Sequence, residues 1–448
     1  MAHRVPAGSV TTLSVPAPAA SRPAGIGPAS APPPRLPLTF LAGSGAGLVA
    51  FGAAAFAVRD TAVRVPDAPT VLACAHLCML GFLVTALLGA LHQFVPVVCA
   101  RPLRSVRAGW VTAGLWLPAV AVLPAGFATG HPAVVSAAGM TAFAALSLAA
   151  WNLSGPLSAR GRGTPVTGLR WAVTLLVATA GFGVVYAFDR TTNWFLLLPT
   201  RVLAHAHLGL IGAVGLAYVA VAEKLWPMFL LAHRPGRSPA VWAVRLIPAG
   251  VVLVVPGLLW RFAPAAQAGA MLVAAGFACH LWSLAGTISG RRRRLELLHG
   301  FVLASAGFLV VAAVLAALAG LAPVSPEWRL RLVAAEIAAL AAWLGLAVVG
   351  HAHKIIPFMA YSGLRARGVH HGPTGRPLMF TDLYSQQAAR ATFATATAGF
   401  TALTAGLLAA SAVAVGAGGL LLAVTGVTAA VNLGTGPRRA VLAAGRSA

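Results

Sequence analysis

A chain of 448 residues in which 59% of the side chains are hydrophobic and 9% charged falls outside the composition of soluble globular domains and within that of polytopic membrane proteins. Its formal charge of +24 suggests a nucleic-acid partner, but the basic residues alternate between successive apolar runs and gather on one side of them. The charge therefore reports membrane orientation, and it excludes the need for a nucleic-acid partner.

Residues 1–36 are rich in Pro, Ala and Ser and lack an apolar stretch of signal-peptide length, so they read as a disordered cytoplasmic tail. Apolar runs long enough to cross ~30 Å of hydrocarbon then begin near Leu38, Thr70, Ala108, Pro132, Gly168, Leu197, Ala240, Ala265, Leu297, Leu330, Thr392 and Ser411. This predicts an all-α protein with twelve spanning helices over residues 37–436, followed by a cytoplasmic tail at 437–448. Of the 32 lysines and arginines, only Arg59, Arg64, Arg190, Arg201, Arg261, Arg329 and Arg331 fall on the outer side when the amino terminus is taken as inside. Both termini are thus expected in the cytoplasm.

The second span contains Cys74, His76, Cys78, His92, Pro96 and Cys99. Its cysteines and Cys279 form no CxxC pair, and they read as small apolar residues. The sixth span opens with Arg201, His205 and His207 and closes with Glu223 and Pro227. The eighth and ninth contribute His280 and His299, and the tenth Glu336, His351, His353 and Pro357.

Three of these spans answer to one another: "HLCMLGFLVTALLGALHQFVPVV" from His76, "HLGLIGAVGLAYVAVAEKLWPMF" from His207, and "LGLAVVGHAHKIIPFMAY" ending at Tyr361. Pro96, Pro227 and Pro357 are evenly spaced, and each follows a polar residue four positions earlier: His92, Glu223 and His353. The first two copies also share H-L-x-x-x-G, closing on Gly81 and Gly212, whereas the third has Glu336 and Ile337 at that place. Three four-helix repeats are the simplest account.

All three repeat helices run from outside to inside, so His76 and His207 lie at one depth near the outer face. His92, Glu223, His351 and His353 lie near the inner one. Ionisable groups within hydrocarbon are costly and face a partner or serve a function. Neutral imidazole is a common metal and haem ligand, and His76 with His207, on two helices at equal depth, would clamp a haem between them. Residues two apart on a helix point about 200° apart, so His205 faces another neighbour, a second metal or a hydrogen-bonding partner. Arg201 stands where a haem propionate would reach, or snorkels to the interface. His92, Glu223 and His353 are either ligands of a further metal or partners for backbone groups freed by the prolines. His280 and His299, without matched partners, read as hydrogen-bonded structure.

On these features the chain resembles the haem-copper oxidase subunit I superfamily, which includes nitric oxide reductases, and the NnrS-like membrane proteins. The shared features are twelve spans in three repeats, a histidine near the outer end of the second helix, and H-x-H followed by an aromatic and a proline. The resemblance covers most of the chain in architecture and three helices in residues. It implies a bacterial cytoplasmic-membrane haem protein in which His76 matches the second-helix ligand of the low-spin haem, with an electron-donor protein or quinol as partner. His351 and His353 lie about twenty residues beyond the family's tenth-helix pair. The seventh span lacks the histidine pair of the copper site, so that site is expected to be absent or rebuilt, although a second haem or another metal at His205, His92, His351 and His353 stays open.

The expectation is a membrane haem protein handling electrons, nitric oxide or another diatomic gas. The alternatives are a secondary transporter or metal permease, and a structural or assembly subunit that keeps the fold without cofactors.

Overall fold

The computed structural model describes residues 30–159, 163–232, 238–372 and 376–444, with side chains as far as Gly436. The tail expected over the first residues lies outside them up to position 29. Among the described residues twelve helices are long and apolar enough to cross a membrane: α1 Arg35–Ala57, α2 Pro69–Cys99, α3 Val106–Ala128, α4 Pro132–Leu157, α5 Gly163–Thr192 and α6 Pro199–Leu230. The others are α7 Ala240–Leu259, α8 Ala263–Ser289, α9 Leu297–Leu321, α10 Pro326–Ala366, α11 Gln386–Leu408 and α12 Ala412–Ala444. Outside them the described residues hold a short helix, Arg59–Arg64, one 3-10 turn at Phe380–Leu383 and an isolated bridge between His371 and Pro377. The last helix continues as backbone past residue 436 into the segment expected to be a tail.

Local signals set the ends. Proline occupies the first helical turn of α2, α4, α6 and α10, where its missing N–H costs nothing. Ser105, Ser325 and Ser385 cap α3, α10 and α11 by accepting from Ala108, Trp328 and Ala388 N–H at 3.1–3.3 Å. α2 and α6 end in the same way, on Ala100 and Leu231, both left-handed at φ 48. α10 instead runs on through Pro357.

Sequential helices pack side by side, and α12 returns to α1, closing the set. The most buried spans are α10, α6 and α2, with 78%, 67% and 56% of their apolar windows inside the bundle. They meet one another at the centre, each drawn from a different repeat. In α2 and α6 the meeting segments, Leu77–Val84 and Leu208–Gly215, are π-helical, and each begins immediately after the matched histidine, His76 or His207. Glycines bring backbones together at the seams. A Cβ on Gly47 would collide with the Gly81 carbonyl, and one on Gly52 with Ala423 of α12.

Side-chain contacts repeat as well. His92 stacks on Phe40 of α1 (5.3 Å, 16°), and His353 stacks on Phe301 of α9 (5.8 Å, 20°). The same offset along the chain relates Gly89, against Phe40, to Gly350, against Phe301. Ser105 N–H donates to Asn152 Oδ1 and Ser385 N–H to Asn432 Oδ1, each pair 47 residues apart, tying the third helix of a repeat to its fourth. In the middle repeat Ser238 and Ser283 make the corresponding contact at 3.2 Å.

The outer surface is apolar and bears tryptophans at two levels. Trp110, Trp151, Trp242 and Trp282 are exposed at one end and Trp194, Trp260 and Trp328 at the other, the belts expected at two lipid–water interfaces. The molecule is a multi-pass membrane protein in a lipid bilayer.

Candidate functional site

Two layers of buried and half-buried polar side chains sit on the central helices. In the outer layer His207 Nδ1 donates to Leu203 O (2.9 Å), and its Nε2 lies 3.0 Å from Glu336 Oε1, across from α6 to α10. Glu336 is 5% exposed. With Nδ1 already protonated, the pair shares one further proton between Nε2 and the carboxyl group, as imidazolium and carboxylate or as their neutral counterparts. Glu336 is the third-repeat residue beside the position of His76 and His207, so repeat register was the signal that pointed to it.

His76 Nδ1 donates to Leu72 O (2.7 Å), and its ring stacks on Phe127 of α3 (4.9 Å, 24°). The Arg190 guanidinium also lies over Phe127 (4.9 Å). His205 meets Tyr186 edge-on (5.8 Å), and its Nδ1 is buried without a partner. As expected from their two-residue spacing, His205 and His207 address different neighbours. Arg201 donates to Leu196 O (2.7 Å) and lies over Phe195 (5.3 Å), so its guanidinium is engaged at the interface.

In the inner layer the ring of His92 donates through Nδ1 to Leu88 O (2.8 Å), that of His351 to Ala347 O (2.7 Å) and that of His353 to Val349 O (2.8 Å). None of these is the carbonyl that a proline frees, which belongs to the residue four before it. Each bond fixes the tautomer with Nε2 bare, and in all three Nε2 is buried and unpartnered. Glu223 accepts from Ser283 Oγ (3.0 Å) on α8.

The three residues preceding the prolines do not converge. His92 faces α1, Glu223 faces α8, and His353 faces Phe301 and Tyr384 (6.1 Å), each within its own repeat. A different group does assemble. Trp226 lies 5.8 Å from His299 and 6.4 Å from His351, ring centre to ring centre, and Tyr218 lies 5.7 Å from His280 and 6.1 Å from His351. His299 Nδ1 lies 2.6 Å from Glu296 N and 3.1 Å from Glu296 O. Trp226 Nε1, His299 Nε2 and His351 Nε2 are all buried without partners.

Among the described residues no three His, Cys, Asp or Glu side chains gather closely enough to hold a metal ion. Among the described residues no cysteine forms a disulfide, and Cys74, Cys78 and Cys99 are buried. A copper ion needing three imidazoles does not fit this donor set. Haem, which asks for one or two axial imidazoles, fits the bare Nε2 atoms of His92, His351 and His353. As placed, His207 does not fit, because Glu336 occupies its Nε2. No protein-family model matches the chain, and no curated protein matches it.

Proposed function

We propose that the chain is a membrane haem protein of oxidase-subunit-I-like architecture that carries electrons or handles nitric oxide or another small diatomic gas. One observation carries this reading: buried histidines on two central helices, each with Nδ1 tied to a carbonyl one turn earlier and Nε2 bare. Such an outer bond orients an imidazole and raises its basicity toward iron. His76, His92, His351 and His353 would hold the group. His207 joins them only where Glu336 withdraws, which makes the expected clamp of His76 and His207 dependent on that carboxyl group. When bound, haem supplies one-electron and gas-ligand chemistry. The protein supplies imidazole orientation, exclusion of water, and a proton held between His207 and Glu336.

The test is an oxidised and reduced visible spectrum of the detergent-purified protein, with haem and metal analysis on the same sample. Stoichiometric haem is expected. His76→Ala is expected to abolish the bands of a haem bound at the outer layer, His351→Ala those of one bound at the inner layer, and a surface variant such as Trp260→Ala neither. Retention of the native spectrum in His76→Ala, His92→Ala, His351→Ala and His353→Ala alike overturns the ligand assignment.

A second reading is favoured by the outer layer. His76, His205, His207 and Glu336 place several titratable groups where three repeats meet, the arrangement of a proton-coupled transporter. A colourless, metal-free protein from cells able to make haem moves the balance to it.

A further inference from the structure

A cavity of about 930 Å³ lies apart from both histidine layers, between α1, α10 and α12. Its volume is at the upper end of the range for small-molecule and cofactor sites. Its deep end is formed by Leu48, Phe82 and Val348, and its mouth by Arg35 at the start of α1 and Arg367 at the end of α10. From Arg35 to Leu48 the wall is roughly 20 Å long at helical rise, the depth of one bilayer leaflet with its headgroups.

Glycines keep the space open. Gly45, Gly363 and Gly434 line it, and a Cβ on any of them would meet no atom within 4 Å. Apart from Ser44, whose hydroxyl donates to Phe82 O (2.9 Å), the lining is apolar except at the mouth, and no histidine contributes to it, so it is not an extension of either imidazole layer. Both arginines are exposed, and among the described residues neither has an acidic partner. The first turn of α1 carries no acidic residue, so the positive end of its dipole adds to the field at the mouth.

We propose that this cavity binds an anionic phospholipid, with the phosphate held between Arg35 and Arg367 and an acyl chain laid along α1 and α10 toward Phe82. The mouth lies on the side that the distribution of arginines marks as cytoplasmic, where basic pockets between spanning helices recognise anionic headgroups. A zwitterionic lipid would gain less from the arginines, and a neutral quinone would leave both without a counter-charge.

The experiment is native mass spectrometry of the full-length protein released from nanodiscs containing equal amounts of phosphatidylglycerol and phosphatidylcholine. The expected result is one or two phosphatidylglycerol molecules retained after detergent has stripped the rest. Arg35→Glu with Arg367→Glu is expected to lower that retention at least tenfold. Gly434→Phe, which fills the cavity and leaves both arginines in place, is expected to lower it similarly, while Arg293→Glu in the loop before α9 leaves it unchanged. Circular dichroism on each variant verifies that the helices persist, and Gly434→Phe decides the matter if the double charge reversal fails to fold. Equal retention by wild type and Gly434→Phe, or preferential retention of phosphatidylcholine, overturns the proposal.

Discussion

A carboxyl group that is 5% exposed and bonded to an imidazole on another helix depends on its partner. Removing one member of such a buried pair leaves the other uncompensated and costs about 3–5 kcal/mol, whereas replacing both with apolar side chains is often close to neutral. Glu336→Ala is therefore expected to lower the thermal midpoint in detergent clearly, and the double variant Glu336→Leu with His207→Leu to recover most of the loss. A double variant no more stable than Glu336→Ala would show that the pair is not what holds these helices together. The amino-acid sequence placed His207 and Glu336 at matching points of two repeats but did not join them. Joining them requires knowing which way each side chain turns about its helix, and the π segment that begins after His207 alters that angle without changing the apolar pattern. The same limit explains why His92, Glu223 and His353, though equivalent in sequence, face three separate arcs of the bundle. Trp226 and Tyr218 carried no signal at all, because aromatic residues in an apolar span read as core.

The elements themselves were legible in outline. Every span starts within about six residues of where the apolar runs begin, because the run marks the segment that hydrocarbon must cover. Pro96 and Pro227 precede left-handed terminators, whereas α10 continues beyond Pro357 as far as Ala366. The bonds from Asn152 and Asn432 to the backbone N–H of Ser105 and Ser385 are equivalent, at 2.9 and 2.7 Å, and lie in separate repeats. Asn152→Ala and Asn432→Ala are each expected to cost about 1–3 kcal/mol, the desolvation penalty of a donor left without its acceptor. Because the sites are distant, their effects should add in the double variant. Thermal unfolding of the two single variants and the double checks this, and a strongly non-additive result would mean that the two repeats do not act as separate units.

Across the whole molecule, the distribution of arginines predicts which face is cytoplasmic. In a background with Cys74, Cys78, Cys99 and Cys279 replaced by Ala, His131→Cys, in the exposed turn between α3 and α4, is expected to react with an impermeant thiol reagent added to intact cells. Arg293→Cys, in the exposed loop between α8 and α9, is expected to react only after the membrane is opened. The reverse labelling pattern would invert the topology and move the mouth of the arginine-lined cavity to the outer face. The three-repeat plan was readable from proline spacing and a six-residue pattern. Its physical basis lies in contacts that no linear pattern contains, such as the matched stacks of His92 on Phe40 and His353 on Phe301.

The seam between α12 and α1 has a consequence for the order of the chain. An even number of helices returns each repeat to the membrane face it left, and close backbone contact at Gly52 and Gly419 makes the last repeat as much a neighbour of the first as the second is. The connectivity is therefore one choice among three for the same ring. A circular permutant opened in the loop between α8 and α9, with its original ends joined by a flexible linker, should insert and pack its twelve helices as before. Gel filtration and thermal unfolding beside the parent would test whether the position of the cut matters to the fold.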